Sequence, residues 1–340
     1  AENGASNGGF IDLKTVWGVD DIVAIAPFYG KLVVFGTNNI AIYDSPNIIG
    51  SIALNEVIKG IGCVSRDSVQ AIGDDLVFLS STGLRSLGRT TEKDKLPMQD
   101  LSLNIKDTLI RNVGQSTNVK AVYVENEGIY ILSFVDNNIT YVFDFKHFTP
   151  NQAPRITTWT FDNDREPSSL AYTELYGLLV GQKDGGLAGY EGYYDTDLAY
   201  PGGSQTYSTS SYTSNIQTTW INLGQSVAAS LLKRLFMVLE GGSGATLGLK
   251  WYKDYSPTPS NTTSITLNPV TTGSSALYGA STSLYGKSGV TYKPVYGLQE
   301  YKTPLTGSAK NLKLEISIES NGFDASLQDL TLLHKQGKIR

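Results

Sequence analysis

The feature that most constrains the fold is a unit of three short apolar runs, separated by turns, that recurs along the first half of the chain. One copy is DIVAIAPFYGKLVVFGTNNIAIYD, residues 21–44. The central runs of the four copies begin at Leu32, Leu76, Ile129 and Leu178, which are 44, 53 and 49 residues apart. Antiparallel units that repeat about every 40–50 residues are typical of β-propeller blades. A small sheet cannot bury both of its faces alone, so we expect the blades to stack.

Composition favours the same fold class. The chain has 35 Gly and 20 Tyr among 340 residues, which indicates many tight turns between β-rich segments. Residues 11–20 and 155–162 are candidates for outer strands or for a further blade, so the sequence leaves the number of blades open, and the WD and kelch signatures are absent. An ordinary β-sandwich with coincidental spacing is the alternative. We predict an all-β protein with a β-propeller at residues 1–199.

One segment departs from the β pattern. Residues 98–113, MQDLSLNIKDTLIRNV, carry apolar side chains at helical spacing. Asp100 or Ser102 is a plausible N-cap. We therefore predict a short helix inserted between two blades, which covers a blade edge or contacts a neighbouring subunit.

The composition changes after about residue 195. Residues 200–215, rich in Ser, Tyr, Gly and Thr, are typical of a linker. Strand candidates follow, and in LKLEISIE the residues Leu312, Leu314, Ile316 and Ile318 alternate along one face. Residues 216–340 are therefore predicted to form a second, β-sandwich-like domain.

A long Tyr-rich segment, residues 271–305, lies inside this second domain and contains the tandem ALYG and SLYG. Long loops in compact domains are often functional. Tyrosine is favoured at interfaces because it buries a large area and keeps a polar tip. The loop is predicted to form a subunit interface through Tyr278, Tyr285, Tyr292 and Tyr296, and a simply packed surface loop is the alternative.

Charge and cysteine usage exclude several classes of protein. The net charge is −5, with no basic run of the kind that wraps nucleic acid. Cys63, the one cysteine, excludes an intrachain disulfide, and its apolar neighbours favour a buried thiol. No segment approaches the roughly 20 apolar residues of a membrane helix. The polar start AENGASNGG has no Met, which leads us to expect more protein upstream.

Catalytic and metal-binding patterns are weak. His147 and His334 fall in no metal-ligand spacing and are interpreted as structural or surface residues. FDNDREP, with Asp162, Asp164 and Glu166 alternating, lacks the Gly and distal Glu of an EF-hand and is interpreted as a solvated turn. We expect no catalytic residues, no metal and no cofactor, and predict that the protein is not an enzyme.

The alternative function is a carbohydrate-binding or glycoside-hydrolysing propeller, because carboxylates can point into a propeller's central tunnel. Turns favour Asp in any case, since it bonds to its own backbone. Sugars could stack on Trp251 with Tyr252, or on Tyr278 and Tyr285. The candidate carboxylates are Asp20, Asp21, Asp74, Asp75, Asp136 and Asp184.

The string IGCVSRDSVQAIGDDLVFLSSTGLRSL, residues 61–87, resembles a segment of the tail nozzle, or DNA-stabilisation (tail hub), proteins of short-tailed bacteriophages (podoviruses). The positions that match the pattern of that family are Gly62, Cys63, Ser65, Val69, Gly73, Asp74, Phe78, Leu79, Ser80, Gly83, Leu84 and Ser86. The run IAPFYGKLVVFGTNNIAIYD resembles the preceding blade, and LSLNIKDTLIRNV resembles the helix that follows. KRLFMVLEGG, LKWYKDYS, the LYG tandem and the terminal GKIR resemble the family's second β domain.

This resemblance implies a structural protein of the virion tail. Copies of the chain, a hexamer in the family, would form a ring below the portal and adaptor proteins that closes the DNA exit channel and later conducts DNA. The resemblance implies passage of genomic DNA without sequence-specific contacts, and contacts with tail fibres. A net-negative conduit repels DNA and lets it slide. A tail-fibre attachment adaptor is a further alternative.

Overall fold

The computed structural model describes fourteen stretches of the chain and divides it into two compact units, residues 1–191 and 192–340. The described stretches are residues 11–44, 52–88, 100–150, 152–161, 165–190, 197–199, 208–210, 212–224, 228–241, 246–267, 274–275, 290–291, 298–320 and 325–336. Within these stretches, every helix is too short or too polar to cross a membrane.

The described residues of the first unit form four antiparallel sheets, here called blades, each built from strands that are consecutive in the chain. Blade 1 consists of β1 (Ile22–Phe28), β2 (Lys31–Gly36), β3 (Asn39–Asp44) and β4 (Ala53–Lys59). Blade 2 consists of β5 (Gln70–Ile72), β6 (Asp75–Ser80) and β7 (Gly83–Ser86). Blade 3 consists of β8 (Val119–Val124), β9 (Ile129–Phe134), β10 (Ile139–Phe148) and β11 (Pro154–Trp159). Blade 4 consists of β12 (Pro167–Thr173), β13 (Gly177–Gln182) and β14 (Leu187–Tyr190).

Successive blades pack face to face in chain order. Alternation along each strand sends adjacent side chains to opposite faces, so a strand such as β6 serves two cores. Three clusters of buried apolar side chains join blade 1 to 2, 2 to 3 and 3 to 4. Phe35 and Phe78 share the first cluster, with their ring centroids 5.0 Å apart, Leu79 and Tyr130 share the second, and Ile131 and Leu178 share the third. The propeller-type repeat is therefore confirmed.

Short helices accompany the blades. The helix α1 (Lys14–Trp17) packs Trp17 on the outer face of blade 1, so residues 11–20 form no outer strand. The helix α2 (Lys106–Gln115), preceded by a 3₁₀ turn, lies between blades 2 and 3 in the chain, which confirms the inserted helix. The other segment of uncertain role, residues 155–162, supplies most of β11, the edge strand of blade 3.

The predicted N-cap is correct only in part. Ser102 stands at the N-cap of the 3₁₀ turn that leads into α2 but makes no side-chain capping bond there, and the N-cap of α2 itself is Ile105, which makes none either. Asp100 and Ser102 instead bond to each other and to blade 2, because the amide of Leu84 donates to Ser102 Oγ at 3.0 Å.

The second unit is also built from β-strands. Its strands are β15 (Asp197–Ala199), β16 (Ser208–Ser210), β17 (Tyr212–Gln217), β18 (Ile221–Asn222), β19 (Ser230–Gly241), β20 (Thr246–Lys253), β21 (Asn261–Thr266), β22 (Ser274–Ser275), β23 (Val290–Thr291), β24 (Leu298–Pro304), β25 (Ser308–Ala309), β26 (Asn311–Ser320) and β27 (Ala325–Lys335). One sheet has the order β17-β26-β20-β21, with β18 also on β26. The other places β24, β25 and β27 along β19.

The two larger sheets described in the second unit share one core, which confirms a β-sandwich-like domain, and β15-β16 and β22-β23 form two separate two-stranded sheets. Leu312, Leu314, Ile316 and Ile318 are all buried in it, as their alternation predicts. From β19 the core receives Leu232, Leu235, Met237 and Leu239.

Two segment predictions in this region need correction. Part of the predicted linker 200–215 forms strands β16 and β17, and the end of the predicted loop 271–305 forms β24. β17 and β24 pair through their backbones while most of their side chains remain exposed or half-buried, so neither shows a strong apolar alternation. The unit boundary also lies earlier than residue 199.

Candidate functional site

The segment that carries the family resemblance forms the junction between blades 1 and 2. The amide of Cys63 donates to the carbonyl of Gly36 at 2.8 Å, and the amide of Val64 donates to the carbonyl of Leu79 at 2.8 Å. Gly62 lies so close to blade 1 that a Cβ there would come within 3.0 Å of the Thr37 carbonyl. Only glycine therefore fits this position without moving the backbone.

Buried hydroxyl groups extend the junction to blade 3. Ser68 Oγ donates to the carbonyl of Ser65 at 2.6 Å and accepts from the amide of Leu79 at 3.1 Å. The hydroxyl of Tyr130, on β9, donates to the carbonyl of Ser68 at 2.8 Å. Burial raises the pKa of Tyr130 well above 10.0 and also raises the pKa of Cys63. The prediction of a buried thiol is confirmed, and Cys63 remains a protonated packing group.

A close contact between Gly83 and Asp100 fixes the position of the β6–β7 hairpin. Gly83 adopts φ +130°, a conformation that L side chains rarely adopt, and a Cβ there would lie 2.5 Å from the Asp100 carboxylate. Lys106 Nζ lies 3.5 Å from Asp100 Oδ2, which brings a cation to this buried carboxylate. The buried motif residues, among them Gly62, Cys63, Leu79 and Gly83, thus serve packing and blade connection, whereas Gly73 and Asp74 lie exposed in the turn between β5 and β6.

Two of the candidate tunnel carboxylates anchor blade turns. Asp20 accepts the amides of Thr37 at 3.1 Å and Asn38 at 3.0 Å. Asp136 Oδ2 accepts the amides of Thr117 at 2.9 Å and Asn118 at 3.1 Å. These backbone N–H groups lower the pKa of Asp136, because they stabilise the charged form. A glycosidase general acid needs the opposite shift, towards a raised pKa.

The remaining candidate carboxylates are also spread over turns. Asp75 accepts the amides of Leu76 and Gly88, each at 2.7 Å, and Asp184 accepts the amide of Gly186 at 2.8 Å. Asp21 and Asp74 are exposed. In the described residues, no three or more His, Cys, Asp or Glu side chains are grouped so that they could hold a metal ion.

The acidic string FDNDREP is described only in part. Asp162 and Asp164 lie outside the described residues. Glu166 is buried, not solvated as predicted, and its carboxylate lies 3.9 Å from Lys183 Nζ. The two strands β12 and β13 bring these side chains together, since the amide of Lys183 donates to the carbonyl of Glu166 at 3.0 Å.

The two histidines have different settings. His147 is exposed on β10 and its Nδ1 lies 2.8 Å from Asp144 Oδ2, as expected of a surface histidine. His334 is half-buried at the end of β27, and its Nδ1 has no hydrogen-bond partner among the described residues.

The structure contradicts the expectation that Trp251 and Tyr252, on β20, form a platform on which sugars could stack. Trp251 is 2% exposed and belongs to the sandwich core, so it offers no face to a sugar. Tyr252 is half-buried, donates to Glu315 Oε2 at 2.6 Å and lies under Lys313 Nζ at 5.3 Å. The four predicted interface tyrosines, Tyr278, Tyr285, Tyr292 and Tyr296, lie outside the described residues.

Sequence reasoning missed a basic cluster, defined as Lys233, Arg234, His334 and Lys335. These four side chains and Leu333 line one open depression of about 430 Å³ at the ends of β19 and β27. The two strands are about 100 residues apart in the chain and pair antiparallel. The dipeptides KR and HK were visible in the sequence, but only the strand pairing shows that they are neighbours.

Comparisons with known proteins identify no family for this chain. No protein-family model matches the chain, and no curated protein matches it. Among solved structures, the chain is similar to the crystal structure of a glycoside hydrolase family 43 arabinoxylan arabinofuranohydrolase from Bacillus subtilis in complex with cellotetraose. The identity is 10%, the TM-score is 0.26, and the match covers 93% of this chain and 54% of that chain. This chain thus spans about half the length of that protein, and so low a TM-score carries no argument about fold or function.

Proposed function

We propose that this chain is a structural subunit of the virion tail of a short-tailed bacteriophage. Copies assemble into a ring, a hexamer, that closes the DNA exit channel in the filled particle and conducts DNA on infection. The ring attaches to the portal and adaptor proteins, and tail fibres contact it. The chain has no catalytic role in this proposal.

The observation that carries the proposal is the junction built by residues 61–87. The residue types that resemble the nozzle family are those that the contacts demand. Gly62 avoids the Thr37 carbonyl, Cys63 is fully buried, and Gly83 takes a positive φ beside Asp100. A resemblance that rests on such positions supports a shared architecture more strongly than one that rests on exposed residues.

Two further features fit a structural role. Asp20 and Asp136 bind backbone amides, and so serve the turns of the blades. The chain carries a net charge of −5, and a net-negative conduit repels DNA and lets it slide.

The test is the mass of the purified native assembly together with electron microscopy of the same sample and of virions. We expect six copies of the 36.8-kDa chain in a ring with a central channel, and density for the protein in the tail on the DNA axis. Density at a fibre attachment point away from that axis would favour the tail-fibre adaptor. A monodisperse monomer that is absent from virions and retained by a glycan array would overturn the proposal and favour a carbohydrate-binding propeller.

A further inference from the structure

The basic cluster concentrates positive charge at one place on a protein whose net charge is −5. Lys233, Arg234 and Lys335 are all exposed around one depression, and none of its lining residues is acidic. The nearest carboxylates along the same sheet face, Asp329 and Glu300, both stand opposite Val238, four residues along β19 from Arg234. The three cations have no ion-pair partner within the part of the chain that the structure describes.

A β-bulge creates this concentration of charge. Leu232 pairs with His334 and Arg234 pairs with Leu333, so Lys233 is an extra residue with no partner on β27. In a regular strand, one of two adjacent side chains would turn into the core. The bulge lets Lys233 and Arg234 both face solvent, while Leu232 and Leu235 on either side remain buried.

The spacing of the cluster suits a chain of phosphates. Lys335 stands opposite Leu231, two residues beyond the partner of Arg234, and such diagonal neighbours lie about 7–8 Å apart. One strand of duplex DNA carries a charge about every 3.4 Å of helix axis. The cluster therefore covers two or three successive phosphates, and the Arg234 guanidinium can bind phosphate oxygens in a bidentate manner. In sequence, GKIR follows with Lys338 and Arg340, which lie outside the described residues.

We propose that the basic cluster contacts the phosphate backbone of duplex DNA without reading its sequence. The assignment rests on the proposed function, in which DNA passes through a ring of these chains. The net-negative protein repels the duplex overall, and one basic cluster per subunit binds the duplex weakly and in a salt-sensitive manner.

The test compares three forms of the full-length chain: the wild type, a cluster variant and a matched control. The cluster variant is Lys233→Gln with Arg234→Gln and Lys335→Gln, which keeps the side-chain stems. The control is Lys14→Gln with Lys59→Gln and Arg155→Gln, three exposed cations of the first unit, so both variants lose the same net charge. Binding of a short labelled duplex is measured by fluorescence anisotropy over a range of NaCl concentrations.

Two or three phosphate contacts predict a slope of log affinity against log salt between about −1.8 and −2.7, or about a 12- to 40-fold loss between about 50 and 200 mM salt. We expect the wild type and the control to show this slope at the same affinity. The cluster variant should lose most of the slope and bind at least about tenfold more weakly at low salt.

Equal weakening in the control and the cluster variant would overturn the proposal, because overall charge would then explain binding. A wild type that does not bind duplex DNA at low salt would overturn it as well. In a second arm, inorganic phosphate replaces chloride at equal ionic strength. Strong competition by phosphate beyond that of chloride would assign the cluster to a free anion instead of a nucleic acid.

The mass of each form separates this inference from the proposed function. If the wild type binds DNA through the cluster but stays monomeric, the phosphate site is supported and the ring is refuted. If the chain forms a six-fold ring whose DNA affinity is the same with and without the cluster, the ring is supported and the phosphate site is refuted.

Discussion

Replacing Gly62 with alanine should open the junction between blades 1 and 2. The new Cβ would lie within 3.0 Å of the carbonyl carbon and oxygen of Thr37 and of the carbonyl oxygen of Gly36. These are backbone atoms of blade 1, which cannot turn aside as a flexible side chain would. The substitution must therefore separate the two segments, and it strains the hydrogen bond from the Cys63 amide to the Gly36 carbonyl, 2.8 Å in the wild type.

The expected cost follows from overpacking. Forcing an extra methyl group into a close-packed site destabilises a protein by about 1–3 kcal/mol. The population of the open junction should therefore rise roughly 5- to 150-fold, since about 1.4 kcal/mol corresponds to a factor of ten.

Cys63 provides the assay, because it is the one cysteine of the chain, is fully buried and is adjacent to the substitution. When closing is fast relative to the chemistry, the labelling rate of a buried thiol follows the open population. A chromogenic disulfide reagent then measures the junction under native conditions. The matched control is Gly114→Ala on α2, where a Cβ meets no atom within 4 Å.

The control should leave labelling unchanged or slow it, because alanine stabilises a helix interior by up to about 1 kcal/mol relative to glycine. If Gly62→Ala labels at the wild-type rate, the junction is not close-packed in solution and the packing role of the motif is wrong. If both variants accelerate labelling equally, the thiol reports general loosening instead of this contact.

Three further substitutions test other parts of the fold. Tyr130→Phe should cost about 1–3 kcal/mol in urea unfolding because it leaves the buried carbonyl of Ser68 without its donor, and an unchanged unfolding midpoint would contradict this role. The lowered pKa of Asp136 means that its contribution to stability is present above its ordinary value of 3.8 and is lost as the pH falls through the lowered value. Asp136→Asn should therefore flatten the acid side of the stability profile, and an identical profile would refute the anchoring role. Trp251→Ala should destabilise the second unit by about 3–5 kcal/mol, as followed by circular dichroism, because it empties a core position. Unchanged stability together with a loss of glycan binding would instead support a sugar-binding role for Trp251.

The local sequence pattern predicts those elements that bury one face of a strand, or that bury apolar side chains at regularly repeated positions. The four blade hairpins, the alternation from Leu312 to Ile318 and the burial of Cys63 follow from periodicity and apolar neighbours. In each case the buried residues are apolar and regularly spaced, so the local signal agrees with the tertiary contacts.

The parts that the sequence does not predict depend on partners far along the chain. Asp100 and Ser102 have the chemistry of an N-cap, but the amide of Leu84 recruits Ser102 from another element. The strand β17 has a polar composition and exists because β26 supplies its hydrogen bonds. The basic cluster requires both the pairing of β19 with β27 and the bulge at Lys233, and neither feature produces a periodic pattern in the sequence.

The pairing pattern of the two units also sets the order in which a growing chain can fold. Each blade uses only consecutive strands, so it can form as soon as its last strand leaves the ribosome. The sandwich cannot, because β19 pairs with β27 and β17 with β26, a link that joins Gln217 to Glu315 across 98 residues. Until residues 325–335 are synthesised, β19 has one open edge, and unpaired edges are templates for aggregation. A chain truncated before β27 should therefore keep its blades and lose its solubility.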